Sequence, residues 1–243
     1  MGSITRMIAA ATAFTLAATA ASATTYTVKR ETGNGTGVFD VVGSITAFDF
    51  SSTSPVDFYH YGDPYRFSYN GPSGAPGTQS NEAISFLVET SQGLSFVTVL
   101  DAQSDGSGGE AKLNVQVGGA TPGAQVSDDV NSARGEFTLD SSTADGVAFA
   151  GDFVWANCCT DGFMLGGLDG SWHLLLDFIE LSDQRGLGGW DVISADGSSV
   201  AGLFSTEDGR ALKIAPIPVP AGVLLIGTAF ALAGAARRAS RSA

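Results

Sequence analysis

The chain has 243 residues, of which 25 are acidic and 12 are basic, and its formal net charge is −13. Four arginines, Arg6, Arg237, Arg238 and Arg241, lie near the ends in segments without acids, so residues 24 to 220 carry 8 basic and 25 acidic side chains, a net of −17. Such a body repels nucleic-acid phosphates and anionic lipid headgroups. We therefore expect no nucleic-acid partner.

The N-terminus has the layout of a secretory signal peptide. Arg6 supplies a positive charge, residues 7–20 form an uncharged apolar stretch, and Ala21-Ser22-Ala23 is a small-x-small cleavage signature. An uncleaved anchor or a buried helix is the alternative, but a membrane helix needs about 20 apolar residues and this stretch is shorter. We expect a signal helix over residues 1–23 and cleavage after Ala23.

Residues 24–215 predict a single extracellular β domain. Short stretches of β-branched and aromatic residues alternate with a period of two, so that Leu113, Val115 and Val117 share one face, as do Phe137 and Leu139. We predict strands within residues 37–50, 83–90, 94–101, 111–117, 135–140, 147–155, 172–178 and 189–195. Helical periodicity is absent, which disfavours a parallel sheet with crossover helices. The fold class is therefore all-β, an antiparallel sandwich or jelly roll.

Two segments predict long loops, residues 70–82 and 118–133, because both are rich in Gly, Pro, Ser and amide residues. Loops on a sheet scaffold are where binding sites usually lie.

Aromatic residues cluster in "DFYHYGDPYRFSY", residues 57–69. Tyrosine combines a flat apolar face with a polar tip, which suits stacking on a sugar or contact with a protein partner. Candidate stacking residues are Tyr59, Tyr61, Tyr65 and Tyr69. The alternative is a strand, turn and strand in which alternate rings enter the core.

The sequence assigns no catalytic residue. Its two histidines are His60 and His173, and neither a G-x-S-x-G elbow nor an H-E-x-x-H motif is present. His173 lies in a predicted strand and is interpreted as structural. A glycosidase would need paired carboxylates, and the sequence does not single out a pair among its acids.

Calcium is the one cofactor that the sequence suggests. Asp101 and Asp105 take the first and fifth places of an EF-hand-like loop, but Gln103 and Lys112 occupy the third and twelfth. A hairpin loop is the favoured interpretation, and weak calcium binding by Asp101, Asp105 and Glu110 is the alternative.

The two cysteines, Cys158 and Cys159, are adjacent. An exported protein meets oxidising conditions, in which adjacent cysteines can close a small strained ring. Two buried thiols or a bond between molecules are the alternatives. A ring would stiffen the turn before Asp161 and present an apolar plate beside Trp155 or Trp172.

The C-terminal segment, residues 216–243, has three parts. Pro216, Pro218 and Pro220 keep residues 215–220 extended. Residues 221–236 carry no charge, and as a helix they would reach roughly 24 Å, near the bilayer core of about 30 Å. The basic end Arg237, Arg238 and Arg241 would stay cytoplasmic. We predict a transmembrane helix. The alternative to a processed tail is a permanent membrane anchor.

The stretch Ile217-Pro218-Val219-Pro220-Ala221, followed by Gly222, the apolar run and the arginine pair, resembles the VPLPA-CTERM variant of the PEP-CTERM sorting domains of Gram-negative bacteria. Ile217 and Val219 depart conservatively from that pattern. The resemblance covers about 28 of the 243 residues. It implies export and recognition by an exosortase, a membrane-embedded transpeptidase-like cysteine protease that cuts near the proline motif. It implies nothing about residues 24–215.

Together these features predict an exported protein of the cell envelope, cell surface or extracellular matrix, with a structural or adhesive role. Its expected partners are the export machinery, the sorting enzyme, extracellular polysaccharide and, before processing, the membrane. A carbohydrate-binding module is the first alternative and a glycosidase with two carboxylates is the second.

Overall fold

The structure is a computed structural model that describes residues 24–62, 68–106, 108–128, 136–143, 146–179, 186–200 and 210–217. Several predicted features lie outside these ranges: the signal segment with Ala21 and Ala23, Tyr65, and the tail residues Pro218, Val219, Pro220, Ala221, Arg237, Arg238 and Arg241. Both predicted flanking helices fall there too. Within the described ranges, no helix combines the length and apolar character needed to cross a membrane.

The described chain is built almost entirely of strands. They are β1 (Thr25–Glu31), β2 (Phe39–Thr46), β3 (Phe48–Asp49), β4 (Glu82–Thr90), β5 (Gly93–Leu100), β6 (Gly109–Gly118), β7 (Gly123–Ser127), β8 (Phe137–Thr143), β9 (Gly146–Trp155), β10 (Asp161–Gly166), β11 (His173–Ile179), β12 (Gly189–Ile193), β13 (Ser199–Val200) and β14 (Leu212–Pro216). One short helix, α1 (Pro55–Tyr59), precedes β4.

The strands form two sheets in a sandwich-like arrangement. The first sheet has the order β2-β1-β14-β11-β6-β9-β8 and the second has the order β13-β12-β4-β5-β10-β7, with β3 also paired to β4. Most neighbours are antiparallel, as predicted. Two pairs are not, because β12 and β3 both run parallel to β4. No crossover helix is needed for β12, since the chain reaches it after passing through β11 of the other sheet.

The outer faces of the two sheets differ in burial. The larger hydrophobic cluster combines side chains of both sheets, such as Val115 of β6 and Leu87 of β4, and fills the space between them. A second cluster covers the outer face of the second sheet, where Phe58, Tyr59 and Tyr69 pack on β4 and β5. Consequently β4 is buried on both faces, whereas β6 alternates between buried and partly exposed positions. The outer face of the first sheet is the more open of the two.

All eight predicted strand segments contain an observed strand. The alternation of Leu113, Val115 and Val117 is confirmed, since all three are at most 1% exposed. Phe137 and Leu139 lie opposite Gly151 and Phe149 in unbroken register, so they share one face of β8 as predicted. Their burial differs, since Phe137 is 6% and Leu139 is 61% exposed on this edge strand. The register of β8 against β9 shifts after Leu139, between Leu139 and Ser141.

Other elements were not anticipated. β7 lies within residues 118–133, which were predicted as a loop, whereas residues 70–81 do contain no strand or helix. The helix α1 lies at the start of the aromatic segment. Its N-cap is Ser54, whose Oγ accepts a hydrogen bond of 3.2 Å from the Asp57 N–H, and Pro55 occupies the first turn. Both are common helix-start signals.

The two ends of the described body meet. Tyr26 of β1 lies opposite Pro216 of β14 in an antiparallel pair. One residue further, the Ile217 N–H donates a hydrogen bond of 3.2 Å to the Thr25 carbonyl. The two ends of the described body, Thr25 and Ile217, therefore lie side by side at one end of the first sheet.

Candidate functional site

The structure places most of the described aromatic segment inside the protein. Tyr59 is 0% exposed and Tyr69 is 3% exposed, so neither ring has a face open to a sugar. The Tyr59 hydroxyl donates to Asp128 Oδ2 over 3.3 Å, and the Tyr69 hydroxyl donates to the Pro76 carbonyl over 2.9 Å. Tyr61 is 53% exposed and its carbonyl accepts a hydrogen bond from the Asn70 amide. The predicted stacking surface is thereby reduced, among described residues, to Tyr61.

The buried tyrosines are held in their neutral form. Burial raises the pKa of Tyr59 well above its ordinary value, and the nearby charges of Asp128 and Asp161 raise it further. Burial likewise raises the pKa of Tyr69. Both hydroxyls therefore act as hydrogen-bond donors within the core.

The calcium candidate is a structural anchor. Asp101 is 1% exposed, and its Oδ1 accepts hydrogen bonds from the Asn81 N–H at 2.7 Å and the Ala102 N–H at 2.8 Å. Its Oδ2 accepts the indole Nε1–H of Trp155 at 2.8 Å. Within the described ranges no three His, Cys, Asp or Glu side chains are grouped to hold a metal ion, so Asp101, Asp105 and Glu110 do not form such a group.

The adjacent cysteines form a disulfide bond, with the sulfur atoms 2.13 Å apart. The ring lies in the turn between β9 and β10, where the Cys159 N–H donates to the Ala156 carbonyl over 3.0 Å. Cys158 is exposed and Cys159 is half-buried. Trp155 and Trp172, beside which the ring was expected to present an apolar plate, are 5% and 3% exposed.

The turn after the disulfide bond is fixed by side-chain contacts. The Thr160 hydroxyl accepts a hydrogen bond of 3.0 Å from the Tyr69 N–H. The Asp161 carboxylate accepts one from the Val154 N–H at 3.1 Å and one from the Gly162 N–H at 2.7 Å. The disulfide ring therefore continues into a turn that is anchored to the core.

A groove of about 320 Å³ opens on the outer face of the first sheet. Its polar side chains are Gln116 of β6, Asp140 and Ser141 of β8, and His173 of β11, and all four are exposed. The strand register brings them together, since Gln116 lies opposite Ala148, Ala148 lies opposite Ser141, and His173 lies opposite Gly118. We name this feature the outer-face groove.

Glycines shape the bottom of the outer-face groove. The imidazole ring of His173 covers Gly118, where a Cβ atom would collide with Cε1 and would lie 2.8 Å from Nε2. At Gly146 a Cβ atom would collide with the backbone carbonyl of Val117. Both positions exclude larger side chains, although the first obstacle is a movable side chain and the second is backbone.

The imidazole of His173 is neutral at physiological pH. Partial burial lowers the pKa of His173, and the positive charge of Lys213 lowers it further. A neutral imidazole has one N–H donor and one acceptor nitrogen. The sequence had indicated a structural histidine in β11, whereas the structure places this side chain at the surface.

The described basic residues belong to the first sheet. Lys29 and Arg30 lie in β1, Lys112 lies in β6, Lys213 lies in β14, and Arg210 lies just before β14. Lys29 and Lys213 are directly opposite each other. The Lys213 ammonium is 5.9 Å from the centroid of the Phe39 ring, which gives it a cation–π contact. Acidic residues such as Asp140, Asp152 and Asp177 lie in strands of the same sheet.

The outer-face groove contains a serine, a histidine and an aspartate, which are the residue types of a hydrolytic triad. A triad works through hydrogen bonds from hydroxyl to imidazole and from imidazole to carboxylate. Neither bond joins Ser141, His173 and Asp140 in the described part of the chain. The arrangement present in the structure is a surface rich in hydrogen-bonding groups.

The sequence did not indicate this groove, because its residues come from four strands that are distant in the chain. A comparison with protein-family models, curated proteins and solved structures finds no match for the chain.

Proposed function

We propose that this chain is an exported protein of the cell surface or extracellular matrix of a Gram-negative bacterium, sorted through its C-terminal tail, with a structural or adhesive role. The proline motif, apolar run and basic end of residues 216–243 are the basis of the sorting proposal. The pairing of Tyr26 with Pro216 is the structural observation that carries it furthest.

The positions of the two ends suit this route. β1 begins at Thr25, just after the expected cleavage site at Ala23, and β14 ends at Pro216, the first proline of the tail. Since both ends leave the sheet side by side, the apolar segments that flank the body can enter the same membrane from the same side. Arg6 and Arg237 would then both be cytoplasmic, as the positive-inside rule requires.

The charge and the core of the body between these ends suit an extracellular protein. Its net charge of −17 favours solubility and keeps it away from anionic headgroups. Its two hydrophobic clusters provide a core in which a framework of spaced disulfide bonds is not needed. An adhesive or structural role requires such a stable domain with an accessible surface.

The test is the intact mass of the mature protein recovered from culture medium and from membranes. We expect a C-terminus near Pro220 or Ala221 in the released or surface-linked form. A variant with Pro218→Ala and Pro220→Ala should retain residues 222–243 and remain in the membrane fraction. Pro72→Ala, in the loop before β4, is the matched control and should be processed normally. A wild-type protein that keeps residues 222–243 would show a permanent anchor and refute the sorting proposal.

A further inference from the structure

We propose that the outer-face groove binds an uncharged, hydroxyl-rich polysaccharide. This inference deepens the adhesive role and rests on it for the cellular setting, but it concerns the body of the protein rather than the tail. It also moves the carbohydrate-binding alternative from the buried tyrosines to the first sheet.

The outer face of the first sheet is accessible to a polymer. The second sheet cannot offer its outer face to a polymer in the region of β4 and β5, because α1 and Tyr69 cover it. The first sheet carries exposed or half-buried side chains on its outer face along β6, β9 and β11. A polymer chain can therefore lie on the first sheet without rearrangement of the core.

The shape of the outer-face groove suits a sugar ring. Small residues form the middle of the groove, since Gly118, Gly146 and Ala148 project little or nothing outward. The ring of His173 lies over Gly118 and offers a flat surface at one side. Leu175, which lies opposite Gln116 and is half-buried, adds apolar area at the neighbouring strand. A flat sugar ring fits a shallow site of this form.

The polar side chains of the groove suit hydrogen bonding to sugar hydroxyls. Sugar hydroxyls both donate and accept, so they need both kinds of partner. The Gln116 amide and the Ser141 hydroxyl each donate and accept, while the Asp140 carboxylate accepts. The neutral imidazole of His173 supplies one donor and one acceptor. Four such groups around one groove are the chemistry that fixes the orientation of a hydroxyl-rich ligand.

The charge around the groove favours an uncharged ligand over a polyanion. Asp140 is the charged side chain that lines the groove among described residues, and the body around it is acidic, so polyanions are repelled. Lys213 lies two strands from Gln116 along the register, which is about 10 Å at the usual strand spacing. Beyond the effect of burial, its positive charge lowers the pKa of His173, so it reaches one side of the groove and offsets part of this repulsion there.

Affinity electrophoresis of the protein recovered from its host tests this inference. Gels would contain a neutral polysaccharide, such as dextran, β-glucan or galactomannan, or the uronate polymer alginate. We expect retardation in at least one neutral gel. Gln116→Ala and His173→Ala should each weaken it about five- to tenfold, the effect of losing one or two hydrogen bonds. Gln92→Ala, an exposed glutamine in the turn between β4 and β5, is the matched control and should leave it unchanged.

Three results would overturn the inference: no retardation in any neutral gel, retardation that is unchanged by all groove variants, or retardation by alginate alone. Circular dichroism establishes that each variant is folded. If Gln116→Ala does not fold, Ser141→Ala on the edge strand β8 takes its place. A protein that binds neutral glycan but keeps its tail would refute the sorting proposal and leave the groove supported.

Discussion

Trp155 donates its indole N–H to the Asp101 carboxylate over 2.8 Å, and this bond joins the two sheets of the sandwich. Trp155 ends β9 in the first sheet, and Asp101 follows β5 in the second. The same carboxylate receives two backbone N–H groups. Asp101, which the sequence suggested as a calcium ligand, thus links the two sheets.

Replacing Asp101 should destabilise the protein strongly. Asp101→Ala leaves the buried indole N–H of Trp155 and two part-buried backbone N–H groups without their acceptor, and it places alanine at a φ of +65°. We expect a loss of about 3 kcal/mol in the free energy of unfolding, measured by urea denaturation. Asp101→Asn should lose less, because asparagine tolerates this backbone conformation and retains one acceptor. The exposed Asp169→Ala is the control, and an equal loss there would contradict the anchoring role.

The disulfide bond should contribute little to global stability. It joins adjacent residues, so the loop it closes is minimal and the loss of chain entropy in the unfolded state is small. We expect that Cys158→Ala with Cys159→Ala lowers the free energy of unfolding by about 1 kcal/mol or less. Mass spectrometry without reductant should find the native protein two hydrogens lighter than the dithiol. Free thiols that react with an alkylating reagent before reduction would contradict the bond.

Glu31 should make the fold sensitive to acid. Burial alone raises the pKa of its carboxyl, but hydrogen bonds from the N–H groups of Gly37, Ala211 and Gly35 outweigh burial and leave the pKa lowered. A lowered pKa gives stability that is present above the unfolded value of about 4.3 and is lost as the pH falls through the folded value. Glu31→Gln should therefore be less stable than wild type at pH 7, with the difference shrinking below pH 4. Urea denaturation at several pH values measures this, and a difference independent of pH would contradict it.

Glu82 should have the opposite effect. Burial raises the pKa of Glu82, and the nearby negative charge of Asp191 raises it further. Its charged form is therefore disfavoured in the folded state, so the cost is present at neutral pH and disappears as the pH falls below the unfolded value. Glu82→Gln should gain less than about 1 kcal/mol at pH 7, because the group is only partly buried, and nothing at pH 3.5. Asp191→Asn should reduce the gain from Glu82→Gln if the two charges interact.

Two glycines of the outer-face groove should respond differently to alanine. Gly118→Ala pushes aside the movable ring of His173, so we expect weakened glycan retention with a stability loss below about 1 kcal/mol. Gly146→Ala meets the Val117 carbonyl, and a backbone shift should cost about 1 to 3 kcal/mol. Thermal unfolding and affinity electrophoresis of both variants provide the comparison. Equal stability of the two variants would contradict the structural roles assigned to them.

The strands could be predicted because alternation is a local signal, as Leu113, Val115 and Val117 illustrate. The helix α1 also has a local signal, since Ser54-Pro55 followed by Asp57 is a helix-start pattern. The bulge in β8 between Leu139 and Ser141 is not revealed by any local pattern in that strand. The outer-face groove depends on the register between β6, β8, β9 and β11, which only the assembled sheet defines.

If the mature protein is attached through its C-terminal tail, the pairing of Tyr26 with Pro216 would limit how far the body can move from the point of attachment. If processing occurs near Pro220, about four residues separate the sheet from the point of attachment, and a fully extended chain of that length spans about 14 Å. This tether is too short to let the body turn over freely. Neighbouring copies on one surface would therefore share a similar tilt, and their first sheets would present the same face to the surrounding matrix.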